Sequence, residues 1–146
     1  MKKYKGRVII EGQCKGKAVV SHHGLNTLAV FMRSVMLRSP MAFCADHNNT
    51  ELYNKRINGK ILCIPDSIGS TTAGLIYMNL ARKKSAPAAI LFSKNIDSLA
   101  AAGVILSDVW VGEKIITIDR LGSEFLENVE QGDSINILKD GEVEII

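Results

Sequence analysis

Three short apolar runs constrain the fold of this chain more than any other feature: Ile61-Leu62-Cys63-Ile64, Ala88-Ala89-Ile90-Leu91-Phe92 and Ile115-Ile116-Thr117-Ile118. Each is continuously apolar rather than alternating, which is the pattern of a strand covered on both faces. Between them lie two helical segments. Thr71 to Lys84 carries Leu75, Met78 and the Leu80–Ala81 pair on one side. Asp97 to Leu106 opens on an N-cap aspartate, with Leu99, Ala102 and Leu106 along one side. Strands alternating with helices imply right-handed βαβ crossovers and therefore a parallel sheet. Leu121 to Val129 then reads as a short helix, and Ser134 to Leu138 and Val143 to Ile146 as closing strands.

The beginning of the chain has a different rhythm. Arg7-Val8-Ile9-Ile10 and Lys17-Ala18-Val19-Val20 are β-prone runs separated by Gly12 and Gly16, which predicts a hairpin or a barrel edge. Leu25 to Phe43 is apolar without a clean period. Its Met32, Met36 and Met41 read as core fillers, with an adaptable contact surface as the alternative. At 146 residues the expectation is one α/β domain over 1–146, with extra β structure at its start.

Charge and cysteine content narrow the function classes. Eighteen basic against fifteen acidic residues leave a net charge of +3, too small and too scattered to predict nucleic acid. Arg82-Lys83-Lys84 complements a helix C-terminus. No apolar stretch approaches the roughly 20 residues of a membrane helix, and the charged N-terminus has no h-region after it. Three cysteines without close spacing do not form a disulfide framework, so a reduced, cytoplasmic protein is expected.

In a parallel sheet, ligands bind beyond the carboxyl ends of the strands. There the sequence places Pro65-Asp66-Ser67-Ile68-Gly69-Ser70-Thr71-Thr72, Ser93-Lys94-Asn95 and Asp119-Arg120. The first of these opens a helix with a glycine and three hydroxyls. From the residues alone the favoured reading is a plain N-cap on Ser70 or Thr71, with an anion site at the helix N-terminus as the alternative. Gly69 and Gly74 have P-loop spacing, but Leu75-Ile76 stands where Lys-Ser/Thr is required. His22, His23 and His47, with Cys14, Cys44 and Cys63, have no metal-ligand spacing. Asp46-His47-Asn48 reads either as a loop turn or as a substrate-facing loop. Trp110, beside Asp108 and Val109, reads as a packing residue, with an interface anchor as the alternative. Ser70 lies in no nucleophile elbow and has no triad spacing. A catalytic Ser70 would take much of its environment from another polypeptide, which points to a subunit.

The segments Gly59 to Pro65, Gly69-Ser70-Thr71-Thr72, Ala86-Pro87-Ala88-Ala89-Ile90-Leu91-Phe92 and Ile96 to Ile105, in that order, resemble the small, swivelling-domain subunit of the aconitase X family. The resemblance covers about residues 5–138. It implies a swivelling β/β/α domain that closes over the active site of a larger, aconitase-like subunit. Family members are hydro-lyases that dehydrate small hydroxy acids, among them cis-3-hydroxy-L-proline and mevalonate 5-phosphate. The resemblance places the iron–sulfur cluster on the large subunit and none on this chain. It makes Ser70 the base and Gly69, Thr71 and Thr72 the substrate-binding residues. One departure stands out: Phe43-Cys44-Ala45-Asp46-His47-Asn48 replaces the Phe-x-Gly-Gly-x-Asp-Pro loop of many relatives. The turn itself is nearer the hydroxyproline type, so cis-3-hydroxy-L-proline is the expected substrate and mevalonate 5-phosphate the alternative. A non-catalytic anion- or protein-binding module is the competing class of function.

Overall fold

The computed structural model describes residues 1–37, 40–68 and 71–146. Its strands are β1 (Lys2–Lys5), β2 (Arg7–Ile10), β3 (Cys14–Val20), β4 (Ile61–Ile64), β5 (Ala89–Phe92), β6 (Ile116–Asp119), β7 (Ser134–Ile137) and β8 (Glu142–Ile145). The helices are α1 (Thr27–Met36), α2 (Ala73–Arg82), α3 (Ser98–Leu106) and α4 (Ser123–Asn128), and a π-helical turn at Ser107–Val111 extends α3.

The strands form a mixed sheet in the order β1-β8-β7-β3-β4-β5-β6-β2. β3, β4, β5 and β6 run parallel, as the three apolar runs require. β7, β8 and β1 add an antiparallel half, and β2 closes the far side against β6. β3 belongs to both halves. Its residues Cys14–Lys17 pair with β7, and Ala18–Val20 pair with β4. The two ends of the sheet, β1 and β2, are consecutive in sequence with only Gly6 between them, so the sheet is nearly closed. A Cβ at Gly6 would lie 2.4 Å from the Asp119 carbonyl oxygen, and only glycine passes there.

Alternation along the buried strands separates two cores. Leu62 and Ile64 of β4 and Ile90 and Phe92 of β5 face α1, α2 and α3. Ile61, Cys63, Ala89 and Leu91 face the antiparallel half and α4. The result is a β/β/α arrangement of helices, parallel sheet and antiparallel sheet. Lys83, after α2, donates to the Ser34 and Val35 carbonyls at 2.8 and 3.1 Å and to that of Leu37, satisfying the end of α1.

Several sequence expectations are corrected here. Of the two readings for β2 and β3, the hairpin is not formed and the barrel edge is: β2 pairs with β6 at the end of the nearly closed sheet. The aperiodic segment 25–43 contains α1, whose Met32 and Met36 are exposed rather than core-filling. α2 buries Ile76, Tyr77 and Leu80, whereas Leu75 is 68% exposed. α3 buries Ala100, Gly103 and Val104 instead of the face through Leu99, Ala102 and Leu106. That helix is apolar nearly all round, so its sequence offers no contrast from which to read a face. Trp110 does not pack: it is 74% exposed on the π-helical turn.

The helical face is set by a close crossing of α2 and α3. A Cβ at Gly103 would lie 2.7 Å from the Gly74 Cα, while one at Gly74 would meet the Leu99 carbonyl oxygen at 3.1 Å. Gly103→Ala should therefore lose stability although alanine favours helices. Overpacking of ~3 kcal/mol against a propensity gain of ~1 leaves a net loss of about 2 kcal/mol. Gly74→Ala should lose less than half as much. Urea denaturation midpoints of the two variants check this, and an unchanged Gly103→Ala midpoint would refute the close crossing.

Candidate functional site

The carboxyl ends of β3, β4, β5 and β6 meet at one end of the molecule. Main-chain hydrogen bonds join the loops that leave them. Ser21 N–H donates to the Cys63 carbonyl at 3.0 Å, Ser93 N–H to Ile64 at 3.0 Å, and Lys94 N–H to Pro65 at 3.1 Å. Arg120 N–H donates to Lys94 at 3.0 Å, and Gly122 N–H to Ser93 at 2.9 Å. Leu25 N–H and the Asp66 carbonyl (2.8 Å), with Ile68 N–H and the Leu25 carbonyl (2.9 Å), bind the first loop to the turn after β4. All three loop segments singled out in the sequence are therefore neighbours.

The turn after β4 reaches α2 through Thr71 and Thr72, both exposed. Gly69 and Ser70 lie outside the described residues. Thr72, rather than Ser70 or Thr71, occupies the N-cap position, and its side chain makes no capping bond to α2. The neighbouring helices differ. Asn26 caps α1 by accepting from Ala29 N–H, and Asp97 caps α3 by accepting from Leu99 and Ala100 N–H. Among the helices that start at this end, α2 and α4 have no side-chain cap bond from their N-cap residues, Thr72 and Gly122.

Cations line the same end. Lys94 Nζ is 3.8 Å from Asp66 Oδ2, a loose pair on exposed side chains. Arg120 has φ +58° and donates from Nε to Asn95 Oδ1 at 3.0 Å. Asp119, by contrast, is buried and structural. It takes Arg7 Nε at 2.9 Å and a second guanidinium nitrogen at 2.6 Å, and accepts Ile96 N–H at 2.8 Å. Burial pushes its carboxyl up, but the Arg7 and Ile96 hydrogen bonds outweigh burial and hold it below the ordinary aspartate value. It ties β2 and the loop before α3 to β6. A cleft of about 260 Å³ opens beside these residues, walled by His22, Pro65, Ser93, Lys94 and Ser123. Another cavity, of about 300 Å³, lies beside the last turns of α1 against Phe43 and Cys44, away from the strand ends.

Sequence reasoning missed the polar residues that brace this end. Asn49 Nδ2 donates to the buried Ser21 Oγ at 3.0 Å. Gln131 engages both backbone groups of Val20, accepting its N–H at 3.1 Å and donating to its carbonyl at 2.6 Å. Glu51 accepts His22 N–H at 2.8 Å and lies 2.7 Å from His22 Nδ1. Isolated polar residues in loops carry no sequence signal of such pairing. The segment Asp46-His47-Asn48 is a turn: Asn48 N–H donates to Asp46 Oδ1, and His47 stacks on Tyr53 at 4.3 Å. The loop that carries it reaches the site end through Asn49 and Glu51. The cysteines do not converge. Cys44 lies in the helix-side core, Cys63 in the core between the sheets, and Cys14 is half-buried on β3. These positions do not fit an iron–sulfur cluster. Among the described residues, no group of three or more histidine, cysteine, aspartate or glutamate side chains is placed to hold a metal, and no helix is long and apolar enough to cross a membrane.

A β/β/α scaffold with a helix start and cations at the carboxyl ends of its parallel strands is a swivelling-domain type of architecture. The aconitase X swivel domain model matches residues 3–145, and the chain belongs to that family. It is 28% identical to the phosphomevalonate dehydratase small subunit of Thermococcus kodakarensis, over 96% of this chain and 99% of the relative. It is also 28% identical to the protein of the same name from Methanocella arvoryzae, over 97% of this chain and 96% of the relative. The crystal structure of Thermococcus kodakaraensis aconitase X in its holo form superposes with a TM-score of 0.83 at 28% identity, covering 100% of this chain and 99% of that one. These relationships mark the chain as a small subunit of an aconitase-X-type dehydratase.

His22 provides a pH test of the site end. Nδ1 faces Glu51 and Nε2 lies 3.1 Å from the Leu126 carbonyl, so both ring nitrogens face acceptors and only the imidazolium satisfies both. The Glu51 hydrogen bond raises the His22 pKa above the ordinary 6.5. Burial pushes Glu51 up, yet the His22 hydrogen bonds more than offset it and leave Glu51 below 4.5. His22 thus contributes stability fully below pH 6.5 and loses it as pH rises through the raised value. Glu51 contributes above pH 4.5 and loses its share as pH falls through the lowered one. The pair is half-exposed and is worth no more than about 1 kcal/mol. An NMR titration should place the His22 midpoint above 6.5, returning toward it in Glu51→Gln. A midpoint at or below 6.5 in the unsubstituted chain would contradict the pairing.

Proposed function

We propose that this chain works in a two-subunit hydro-lyase, closing over a large aconitase-X-type subunit and contributing the turn 65–72 to a shared active site. The observation that carries the reading is the placing of the start of α2 among the carboxyl ends of four parallel strands, with Lys94 and Arg120 on the neighbouring loops. Among the described residues the site has donors and cations but no complete catalytic constellation. A partner is needed to finish it.

In this reading Ser70 is the base. Its oxygen takes the proton from the carbon next to the substrate carboxylate. The C–H electron pair becomes the new double bond and the hydroxyl leaves the adjacent carbon with its bonding pair; the proton taken by Ser70 balances the one that turns it into water, so the serine is regenerated. A serine hydroxyl is a weak base until its environment lowers its pKa. The N–H groups at the start of α2 favour a negative charge there. Gly69, Thr71 and Thr72 would hold the substrate carboxylate against the same helix start. An iron–sulfur cluster held by the large subunit would supply Lewis-acid assistance to the departing hydroxyl. The assembly is placed in the cytoplasm, where Cys14, Cys44 and Cys63 stay reduced.

For the substrate, the relatives named above favour mevalonate 5-phosphate. Lys94 and Arg120 at the strand ends suit a phosphorylated acid. The cis-3-hydroxy-L-proline expected from the turn sequence has no matching relative among those named above.

The isolated chain should dehydrate neither acid, and adding its cluster-bearing large subunit should produce turnover, with mevalonate 5-phosphate the better substrate. Ser70→Ala should lower that turnover by about 10²–10⁴-fold, the usual worth of a general base, while the subunits still co-elute. Turnover by the chain alone, or full activity of Ser70→Ala, would reject the reading. Tight binding of a carboxylate or phosphate by the chain alone in calorimetry would favour a binding module.

A further inference from the structure

At the helix starts and turn of the site end, four buried polar atoms have no formed hydrogen bond: Thr27 Oγ1, Ser67 Oγ, Tyr77 OH and Asp97 Oδ1. Each comes from a different part of the site end. Thr27 is the first residue of α1, Ser67 belongs to the turn after β4, Tyr77 lies in the second turn of α2, and Asp97 is the N-cap of α3. Tyr77 is their common point. The Thr27 and Ser67 hydroxyls and the Asp97 charge all act on its phenol, though none makes a formed hydrogen bond to it. No pair among them is in full alignment.

Chemistry limits what such a cluster can be. Burial pushes the phenol up to about 12, so it stays protonated and must donate. Asp97 uses Oδ2 to cap α3, accepting from Leu99 and Ala100 at 3.0 Å each, which leaves Oδ1 as an anionic acceptor. Ser67 and Thr27 can each donate and accept. One strong acceptor and three adaptable hydroxyls are matched in number and kind. A buried hydroxyl without a partner costs about 1–3 kcal/mol, so small rotations that complete the set are strongly favoured. A cation is a poor alternative occupant, since the cluster lies at the positive ends of α1 and α3. The phenyl ring is itself fixed, fully buried and edge-on to Phe31 with centroids 6.2 Å apart.

We propose that Tyr77 is a positioning residue for the candidate site: its hydroxyl, with Thr27, Ser67 and Asp97, locks the loops after β3, β4 and β5 to one another. Ser67 stands in the chain between the two main-chain bonds that join Leu25 to the turn, from Leu25 N–H to the Asp66 carbonyl and from Ile68 N–H to the Leu25 carbonyl. Ser67 is the residue bridged to Leu25 in parallel register. It lies three residues before Ser70 in sequence, so slack at Ser67 passes into the turn that opens α2. The role in turnover rests on the dehydratase reading; the lock itself does not.

Two near-isosteric variants test it, Tyr77→Phe on α2 and Thr27→Val on α1. Amide hydrogen exchange on the isolated full chain should quicken about tenfold at Leu25 and Ile68 in both variants, the effect of losing one buried hydrogen bond. Amides of β4 and β5 should keep their rates. Unchanged exchange at Leu25 and Ile68, or equal acceleration in β4 and β5, would overturn the lock. In the enzyme assembled with its large subunit, Tyr77→Phe should lower kcat about tenfold while KM moves less than about twofold, because binding groups are retained and their alignment is lost. An unchanged kcat would overturn the positioning role. An unsubstituted pair that dehydrates nothing would defeat the dehydratase reading alone, with the exchange rates still deciding the lock.

Discussion

The division of β3 between two partners is the constraint on which the rest of the structure depends. Its first half bonds antiparallel to β7 and its second half parallel to β4, so one seven-residue strand joins both halves of the sheet. Because its side chains alternate, Val19 serves the helix-side core while Ala18 and Val20 serve the core between the sheets. The strand then ends at Ser21 beside the carboxyl end of β4. Without this seam the antiparallel half would lose its tie to the parallel half, and the loops after β3 and β4 would lose their shared register. Gln131 adds to the seam by bonding both backbone groups of Val20 from the loop before β7.

Much of the parallel half was legible in the sequence, because doubly covered strands must be continuously apolar. Ile61–Ile64 and Ala89–Phe92 announced themselves in this way, as did Asp97 as an N-cap. The rest was hidden for identifiable reasons. β1, a run of Lys2, Lys3 and Lys5 around Tyr4, is an exposed edge strand with no apolar pattern to read. α3 is apolar on every side, and its buried face is decided by the Gly74–Gly103 crossing, a tertiary fact. Trp110 was expected to pack because tryptophans usually do, and the π-helical turn instead turns it outward. At the site, the three loop segments were found by topology alone. Asn49, Glu51 and Gln131 were not, since their partners are 28 to 111 residues away.

The site end combines rigidity and openness. Asp119, Arg7 and the chain of loop-to-loop hydrogen bonds fix the strand ends, and polar side chains cap α1 and α3. Against that background the start of α2 lies next to the turn after β4, with Lys94 and Arg120 on the neighbouring loops. A complete enzyme would have a base, an acid and an electrophile converging on one cavity. This chain has a turn, a helix start and a shallow cleft. Within a family of dehydratase subunits, the economical reading is a half-site that a partner completes, with the buried Tyr77 cluster keeping the turn in register until it does.

The most direct measurement is a crystal structure of this chain bound to its large subunit with mevalonate 5-phosphate or its dehydrated product. The account predicts that the partner covers the carboxyl ends of β3 to β6, with the ligand carboxylate at the start of α2 and Ser70 Oγ within about 3 Å of the carbon that loses its proton. A partner docked elsewhere, for instance over Trp110 at the far end of α3, with the turn 65–72 open to solvent, would contradict it.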